Sequence, residues 1–191
     1  MQTKSGRIIT VVSIGVIEIS NIVKGYVACD NILKATKIEM VMAQPICPGK
    51  FVMVFGGTIS SIDTACSYVN ENFSEYILDI QKFGNIDKRV FDGLNGACSG
   101  EATGALGLVE TFTAASCILA ADAMLKAANV ELSEIRIARG MGGKSYVAVC
   151  GSVGAVNAAV EAGAINSEES GTLVDKAVIA SPHEDLWQYI Q

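Results

Sequence analysis

The chain has 191 residues, a net charge of −6, and a mean hydropathy of +0.39 with half of its residues hydrophobic. Its 14 basic residues form no run, so it lacks the concentrated positive face that nucleic-acid backbones require, and we expect no nucleic-acid partner. A monomer this apolar would expose large hydrophobic patches, which predicts that part of the surface is buried against other subunits.

The first apolar stretch, Ile8 to Ile19, is too short to cross a bilayer, and Glu18 interrupts it. The segment Tyr26–Cys29 resembles a lipoprotein cleavage box, but Glu18 and Lys24 lie where such a signal must stay apolar. We therefore expect neither a membrane span nor a signal peptide. The six cysteines form no C-x-x-C pair, which favours free thiols in a reducing cytoplasm.

The first half of the chain predicts the order β-α-β-β-α-β. A strand is expected where β-branched residues dominate, and a helix where apolar residues recur every three or four positions. The predicted elements are a strand over Val11–Ile19, a helix from Ile22 to Thr36 capped by Ser20 or Asn21, strands over Ile38–Ile46 and Phe51–Phe55 joined by the turn Cys47–Lys50, a helix over Ser61–Asn70, and a strand over Tyr76–Gln81.

The second half repeats the first. Ile14-Gly15-Val16-Ile17-Glu18 reappears as Leu106-Gly107-Leu108-Val109-Glu110, 92 positions later. Six more residues recur at that offset: Ala28, Asp30, Leu33, Lys34, Ala35 and Glu39 match Ala120, Asp122, Leu125, Lys126, Ala127 and Glu131. The offset is 94 at Gly49-Lys50 and 96 near the end, where Val90-Phe91 matches Leu186-Trp187. Conserved order and spacing predict two tandem copies of one module.

In the second copy, Thr113 precedes a predicted helix over Ala114–Ala128. Ser152 precedes a predicted helix over Gly154–Ala162, with Gly163 as its stop. Ser181-Pro182-His183-Glu184 reads as a capping box with proline at the first helical position.

Between the copies, the glycines of Asp92–Gly100 predict a flexible linker. We place the first domain at residues 1–97, the linker at 98–104 and the second domain at 105–191.

Four segments of the second copy closely resemble the shell-forming domain of bacterial microcompartments, in the right order. They are Ala105–Glu110, Ala121–Val130, Gly151–Val156 and Pro182–Glu184. The first copy matches more loosely. The resemblance implies an α/β (α+β) fold of two tandem ferredoxin-like βαββαβ domains. Both are unpermuted, because each opens with the strand that carries Gly-x-x-Glu.

The resemblance also implies an assembly and a location. Tandem members of the family form a homotrimer that imitates a hexagonal tile, a pseudohexamer. The chain is then a structural protein and not an enzyme, located in the microcompartment shell in the cytoplasm, with other shell proteins as partners and no membrane.

The turn Ile46-Cys47-Pro48-Gly49-Lys50-Phe51 looks most like the propanediol-utilisation members that carry an iron–sulfur cluster in the central pore. That resemblance implies one [4Fe–4S] cluster per trimer, with Cys47 as the iron ligand and Pro48 and Gly49 beside it. Electrons would then cross the shell, with an encapsulated or cytosolic redox enzyme as a further partner.

Threefold symmetry supports the same chemistry independently. A turn that points at the axis brings together three Cys47 thiolates, a soft-ligand cage suited to an iron–sulfur cluster. The fourth iron would take a small exogenous ligand such as water. Backbone N–H groups of Gly49 and Lys50 are expected to donate to the cluster sulfurs and so tune its potential.

Gly140-Met141-Gly142-Gly143-Lys144-Ser145 superficially resembles a phosphate-binding loop. That motif needs glycine at position 138, where this chain has Ala138, and it joins a strand to a helix instead of two strands. We interpret the segment as the second copy's matching turn. Met141, Gly142 and Gly143 are then expected to line the pore together with Lys50, and Met141 stands where the first copy has Cys47.

The other cysteines are not expected to be ligands. Cys29, Cys66, Cys117 and Cys150 fall within packed elements, and Cys98 lies in the linker as an exposed thiol. His183 is the single histidine, without the partner spacing of a metal site or a catalytic triad, and a structural or surface role is expected.

Two lysines are expected at the tile edge, because the resemblance places Lys34 and Lys126 where neighbouring tiles pack. The family tends to have an arginine before the Pro-His of the last segment, and this chain has Ser181 there, with Asn85 as its counterpart in the first copy. The strength of tiling is therefore left open.

Two alternatives remain open. The pore could conduct metabolites, with Cys47 as a gate residue and no cluster. The βαββαβ topology also serves ligand-sensing and enzymatic domains, which would need a pocket of convergent polar groups within one chain. The sequence contains no such constellation.

Overall fold

The computed structural model describes residues 13–98, 103–138 and 140–190. The chain divides into two compact units, with the division between Ile86 and Asp87. Within the described ranges, no helix combines the length and the apolar character that crossing a membrane would need.

The described part of the first unit, residues 13–86, contains four strands and two helices. In chain order they are β1 (Ser13–Ile19), α1 (Ile22–Ala35), β2 (Glu39–Ile46), β3 (Lys50–Gly57), α2 (Ile59–Phe73) and β4 (Ile77–Gly84), with a 3-10 turn over Ser74–Tyr76 before β4. The strands form one antiparallel sheet in the order β2-β3-β1-β4. The predicted βαββαβ order is confirmed for this unit.

Local sequence explains where the helices of the first unit begin. The Asn21 side chain accepts a hydrogen bond from the Lys24 N–H at 3.0 Å, and Thr58 accepts one from the Ser61 N–H at 3.2 Å. Both caps satisfy N–H groups that have no partner inside the helix. The inner face of the sheet and the apolar faces of both helices share one core, which includes Ile17, Ile32, Phe51, Phe55, Ile62 and Val69.

The second unit begins with one additional helix and then repeats the same order. Its elements are α3 (Lys88–Leu94), β5 (Ala105–Thr111), α4 (Ala114–Ala127), β6 (Glu131–Ile137), β7 (Ser145–Gly151), α5 (Val153–Glu169) and β8 (Leu173–Ile179), with a 3-10 turn over Glu184–Tyr189. The sheet order is β6-β7-β5-β8. Strand register is repeated as well, since Gly15 pairs with Phe55 and Gly107 with Val149. The predicted duplication is confirmed.

The predicted stop at Gly163 is wrong, because α5 continues to Glu169. Gly163 is buried where α5 crosses α4, and a Cβ added there would lie 2.4 Å from Met124 Cγ and 3.1 Å from the Ala120 carbonyl oxygen. The glycine therefore permits close packing of two helices instead of ending one.

The predicted flexible linker over Asp92–Gly100 is wrong for its first part, because Asp92–Leu94 is the last turn of α3. Gly93 is buried against β6, where a Cβ would lie 2.7 Å from Leu132 Cδ2. Packing against the sheet stabilises this helix despite its glycine. Residues 99 and 100 lie outside the described residues. The boundary placed at 98–104 follows the sequence repeat, whereas the packing groups residues 87–98 with the second unit.

The predicted capping box at the C-terminal segment is also wrong. The 3-10 turn begins at Glu184 after His183, whose Nδ1 accepts from the Asp185 N–H at 3.3 Å. Ser181 and Pro182 precede the turn. At the other end of the chain, the predicted strand positions 11 and 12 lie outside the described residues.

Candidate functional site

The β2–β3 turn presents Cys47 at one end of the first sheet. Strand β2 ends at Ile46 and β3 begins at Lys50, and the Gly49 N–H donates to the Ile46 carbonyl at 3.1 Å. Gly49 has φ +84°, which glycine adopts without strain, and a Cβ there would meet nothing within 4 Å. Cys47 is partly exposed, so its thiol lies outside the core.

One detail of the predicted cluster environment changes. The Gly49 N–H was expected to donate to a cluster sulfur, but in this structure it donates to Ile46 within its own turn. That N–H closes the turn and so helps to hold Cys47 at its tip.

The matching β6–β7 turn presents Met141 in the corresponding place. Lys144 N–H donates to the Met141 carbonyl at 3.1 Å, and Gly142 and Gly143 have φ +61° and +91°. Met141 is partly exposed, Gly142 is exposed and Gly143 is buried. The segment joins two strands, as predicted, whereas a phosphate-binding loop would join a strand to a helix. The two turns therefore offer one thiol and one thioether per chain.

Each turn is followed by a lysine that pairs with the glutamate of the repeated Gly-x-x-Glu. Lys50 Nζ lies 2.8 Å from Glu18 Oε1, and Lys144 Nζ lies 3.2 Å from Glu110 Oε1. Glu18 is fully buried, whereas Glu110 is partly exposed. These two glutamates were missed as contributors to the site. The repeat of Gly-x-x-Glu with a lysine after each turn was the signal that could have found them.

Four of the other five cysteines are poor sources of thiolate. Burial raises the pKa of the Cys29 and Cys117 thiols, and it raises that of Cys66 to about 11. Cys150 is buried as expected. Cys98 is half buried instead of exposed, and burial raises the pKa of its thiol.

No cluster of three or more histidine, cysteine, aspartate or glutamate side chains in residues 13–98, 103–138 and 140–190 could hold a metal ion. A single chain therefore offers Cys47 as one soft ligand, and a complete iron–sulfur cage would need the same residue from several chains. The chemistry of the donor fits that requirement, because Cys47 is a partly exposed thiol at the tip of a turn.

The two predicted edge lysines make equivalent ion pairs. Lys34 Nζ lies 2.6 Å from Asp30 Oδ2, and Lys126 Nζ lies 2.6 Å from Asp122 Oδ2. In each pair the two residues are one helical turn apart, near the C-terminal end of α1 or α4. A cation at that end of a helix also interacts favourably with the helix dipole. Their place at a tile edge stays a prediction. Ser181, Asn85 and His183 are exposed.

Comparison with known proteins decides the family. The BMC domain matches the chain twice, at residues 13–82 and at residues 105–182. The chain belongs to the BMC-domain family. It is a tandem member, and this places it among the shell proteins of bacterial microcompartments, as the resemblance predicted.

Individual members of the family support the tandem arrangement. The chain is 36% identical to the bacterial microcompartment shell protein PduT of Citrobacter freundii, over 92% of this chain and 96% of PduT. A crystal structure of a microcompartment protein from Desulfitobacterium hafniense DCB superposes with a TM-score of 0.81 at 38% identity, over 92% of this chain and 98% of that one. Carboxysome shell protein CsoS1A of Hydrogenovibrio crunogenus is 47% identical, over 43% of this BMC-domain chain and 84% of CsoS1A, so it corresponds to one repeat.

Proposed function

We propose that this BMC-domain protein is a homotrimeric shell tile whose central pore carries a [4Fe–4S] cluster on three Cys47 thiolates and transfers electrons across the shell. The observation that carries the proposal is the difference between the two equivalent turns, Cys47 in one repeat and Met141 in the other. In a trimer this difference supplies three thiols around the axis, where six identical turns would supply six.

Burial of equivalent helix faces supports the trimer. On α1, Val23, Tyr26, Val27 and Leu33 are exposed, with Val23 70% exposed and Leu33 44% exposed. Their counterparts on α4 are Ala115, Ile118, Leu119 and Leu125, of which Ala115 and Ile118 are fully buried and Leu125 is 4% exposed. An apolar helix face exposed in one repeat and covered in the other is what a second copy of the chain would complete.

The cluster would be held by Cys47 in each of three chains. Such a cluster, when bound, supplies reversible one-electron chemistry. The chain's own residues hold the thiol in place: Gly49 closes the turn through its bond to Ile46, and the Lys50–Glu18 pair anchors the start of β3. An iron without a cysteine ligand would make the cluster labile to oxygen.

Membership in a family of shell proteins supports a structural role over an enzymatic one. The trimer would assemble with other shell proteins of the microcompartment and exchange electrons with an encapsulated or cytosolic redox enzyme. The protein's contribution is then to position and insulate the cluster, with the iron supplying the chemistry.

Anaerobic reconstitution of the full chain tests the cluster. Wild-type trimer is expected to bind about four iron and four sulfide per three chains and to show iron–sulfur absorbance and an EPR signal on reduction. Cys47→Ser is expected to lose iron and spectrum while remaining a trimer. Cys98→Ser is the matched control, because Cys98 is the other cysteine that lies outside the buried core, and it should retain both.

Two outcomes would overturn a cluster held by Cys47, and the first of them would favour a metabolite pore gated by Cys47. One is a reconstituted wild type without iron–sulfur signal, and the other is a Cys47→Ser protein that keeps the signal. Retention of the trimer in both variants separates loss of the ligand from loss of assembly.

A further inference from the structure

The last segment of the first repeat, Asp87–Leu94, is packed onto α4 and β6. Val90 is fully buried and Phe91 nearly so. Gly93 lies so close to β6 that a Cβ would be 2.7 Å from Leu132 Cδ2 and 2.9 Å from Ile135 Cδ1. The segment therefore has an apolar receiving surface formed by the end of α4 and the outer strand of the sheet.

Polar contacts fix the same segment in place. The Asp87 N–H donates to Asp122 Oδ1 at 2.8 Å. Arg89 donates to the Val130 carbonyl at 2.9 Å and to the Leu125 carbonyl at 3.1 Å, and it pairs with Asp87. Leu125 lies in the last turn of α4, where carbonyl groups have no intrahelical partner, so the guanidinium satisfies a group that the helix leaves open.

The second repeat ends in the equivalent segment, His183–Ile190, in which Leu186 and Trp187 match Val90 and Phe91. Here the apolar residues are not covered: Leu186 and Trp187 are partly exposed, and Tyr189, the counterpart of Gly93, is 74% exposed. Trp187 and Tyr189 thus lie at the surface, whereas the equivalent segment of the first repeat, Asp87–Leu94, is packed against α4 and β6.

The first repeat carries the equivalent receiving surface, which we call the α1–β2 face: Asp30, Leu33, Met40 and Ala43. These residues match Asp122, Leu125, Leu132 and Ile135, all of which are buried in the second unit. On the α1–β2 face Asp30 is exposed, Leu33 is exposed, and Met40 and Ala43 are partly exposed. The face that receives a segment in one repeat is open in the other.

We infer that His183–Ile190 of one chain docks on the α1–β2 face of a second copy of the chain, with Trp187 as the apolar anchor. The inference rests on the proposed trimer and specifies one contact that closes it. Each chain carries this open segment and the open α1–β2 face, so three chains docked head to tail would cover the segment and the face of every chain. An aromatic side chain that enters a desolvated surface is the kind of residue that dominates binding energy at an interface.

The polar part of this contact differs from its counterpart. Asp185 stands where Arg89 stands in the first repeat, and a carboxylate cannot donate to the carbonyl groups at the end of α1. The contact between chains therefore depends more on Trp187 than the contact within the chain depends on Phe91.

Trp187 is the single tryptophan of the chain and reports on its own environment. Its emission is expected to shift to shorter wavelength as the full chain associates on concentration, in parallel with sedimentation. Trp187→Ala is expected to weaken association by about 30-fold or more, the effect of removing an interface anchor. Ile165→Ala, which removes an exposed side chain from α5, is the matched control and should leave association unchanged.

A cross-link tests the geometry independently of stability. Tyr189 and Met40 match Gly93 and Leu132, which are in contact, so the double variant Met40→Cys with Tyr189→Cys should form disulfides between chains on mild oxidation. Covalent trimers and dimers are expected on a denaturing gel, and neither single variant should give them above the wild-type background.

The outcomes separate this contact from the trimer itself. A trimer in which Trp187 emission stays that of a solvent-exposed indole and the double variant gives no cross-link between chains would overturn the docking and leave the trimer standing. A chain that remains monomeric at every concentration would overturn both.

Discussion

The Lys50 ammonium lies 2.8 Å from the carboxylate of Glu18, which is fully buried in the centre of the first sheet. Glu18 is on β1 and Lys50 opens β3, so the pair joins the central strand to the start of the strand beside the Cys47 turn. The duplication repeats the pair as Lys144–Glu110 at 3.2 Å, in a more exposed setting. One chain thus holds a buried and an exposed version of the same ion pair.

Removing the two lysines in turn should have unequal effects. Lys50→Met removes the ammonium that pairs with the buried carboxylate of Glu18 and is expected to lower the free energy of unfolding by about 3–5 kcal/mol. Lys144→Met breaks a partly exposed pair and should cost about 1 kcal/mol or less. Denaturant unfolding of both variants at one protein concentration measures the difference. Equal losses would mean that burial does not control the strength of this pair.

Replacing two glycines of α5 by alanine should change the stability of the protein in opposite directions. Gly163→Ala places a Cβ 2.4 Å from Met124 Cγ, and the resulting overpacking is expected to cost about 1–3 kcal/mol. Gly154→Ala meets nothing within 4 Å in the first turn of the same helix and should stabilise by up to about 1 kcal/mol. Thermal unfolding checks both. A stabilising Gly163→Ala would show that the crossing of α4 and α5 has room to spare.

The glycines also show where sequence reasoning reached its limit. The repeat, the order of helices and strands along the chain, and the helix starts next to Thr113 and Ser152 depend on local spacing and were predicted, as was a first cap at Ser20 or Asn21, of which Asn21 is the cap. Gly163 and Gly93 were misread, because a glycine that ends an element and one that permits a close approach look alike until the packing partner is known.

In the candidate site, too, some features follow from the sequence and others depend on packing. The positions of Cys47 and Met141 at equivalent turns follow from the repeat alone. The partner of Lys50 does not, because it depends on the register of β1 against β3, which sets Glu18 opposite Val52. Burial of the receiving surface around Leu132 likewise depends on residues distant in sequence, such as Gly93.

Tyr146 is expected to make the free energy of unfolding depend on pH in the alkaline range. Burial, together with a hydrogen bond from its hydroxyl to Glu134, raises the pKa of Tyr146 to about 12. A phenol in an unfolded chain titrates near 10, so the stability that Tyr146 contributes is complete below about pH 10 and is lost as pH rises from about 10 to 12. The fall in the free energy of unfolding between pH 9 and pH 11 should therefore be smaller in Tyr146→Phe than in the wild type.

Spectroscopic titration provides the check on that assignment. The difference in absorbance at 295 nm between wild type and Tyr146→Phe should show one phenol ionising near pH 12 in the folded protein. Ionisation near 10 would contradict the pKa shift, and identical stability profiles for the two proteins would contradict its link to folding.

Thiol labelling distinguishes Cys47 from the buried cysteines. In the folded, cluster-free protein, iodoacetamide is expected to alkylate Cys47, because this thiol is partly exposed and the reagent can reach it. Cys66 and Cys117 should stay unmodified over the same time, since burial blocks access to both thiols and raises their pKa. Peptide mass spectrometry locates the label, and a sample unfolded in guanidinium, where all three should react alike, is the control.

Reconstitution with iron and sulfide before labelling should protect Cys47 alone. Labelling of Cys47 at an unchanged rate after reconstitution would contradict its proposed role as the iron ligand.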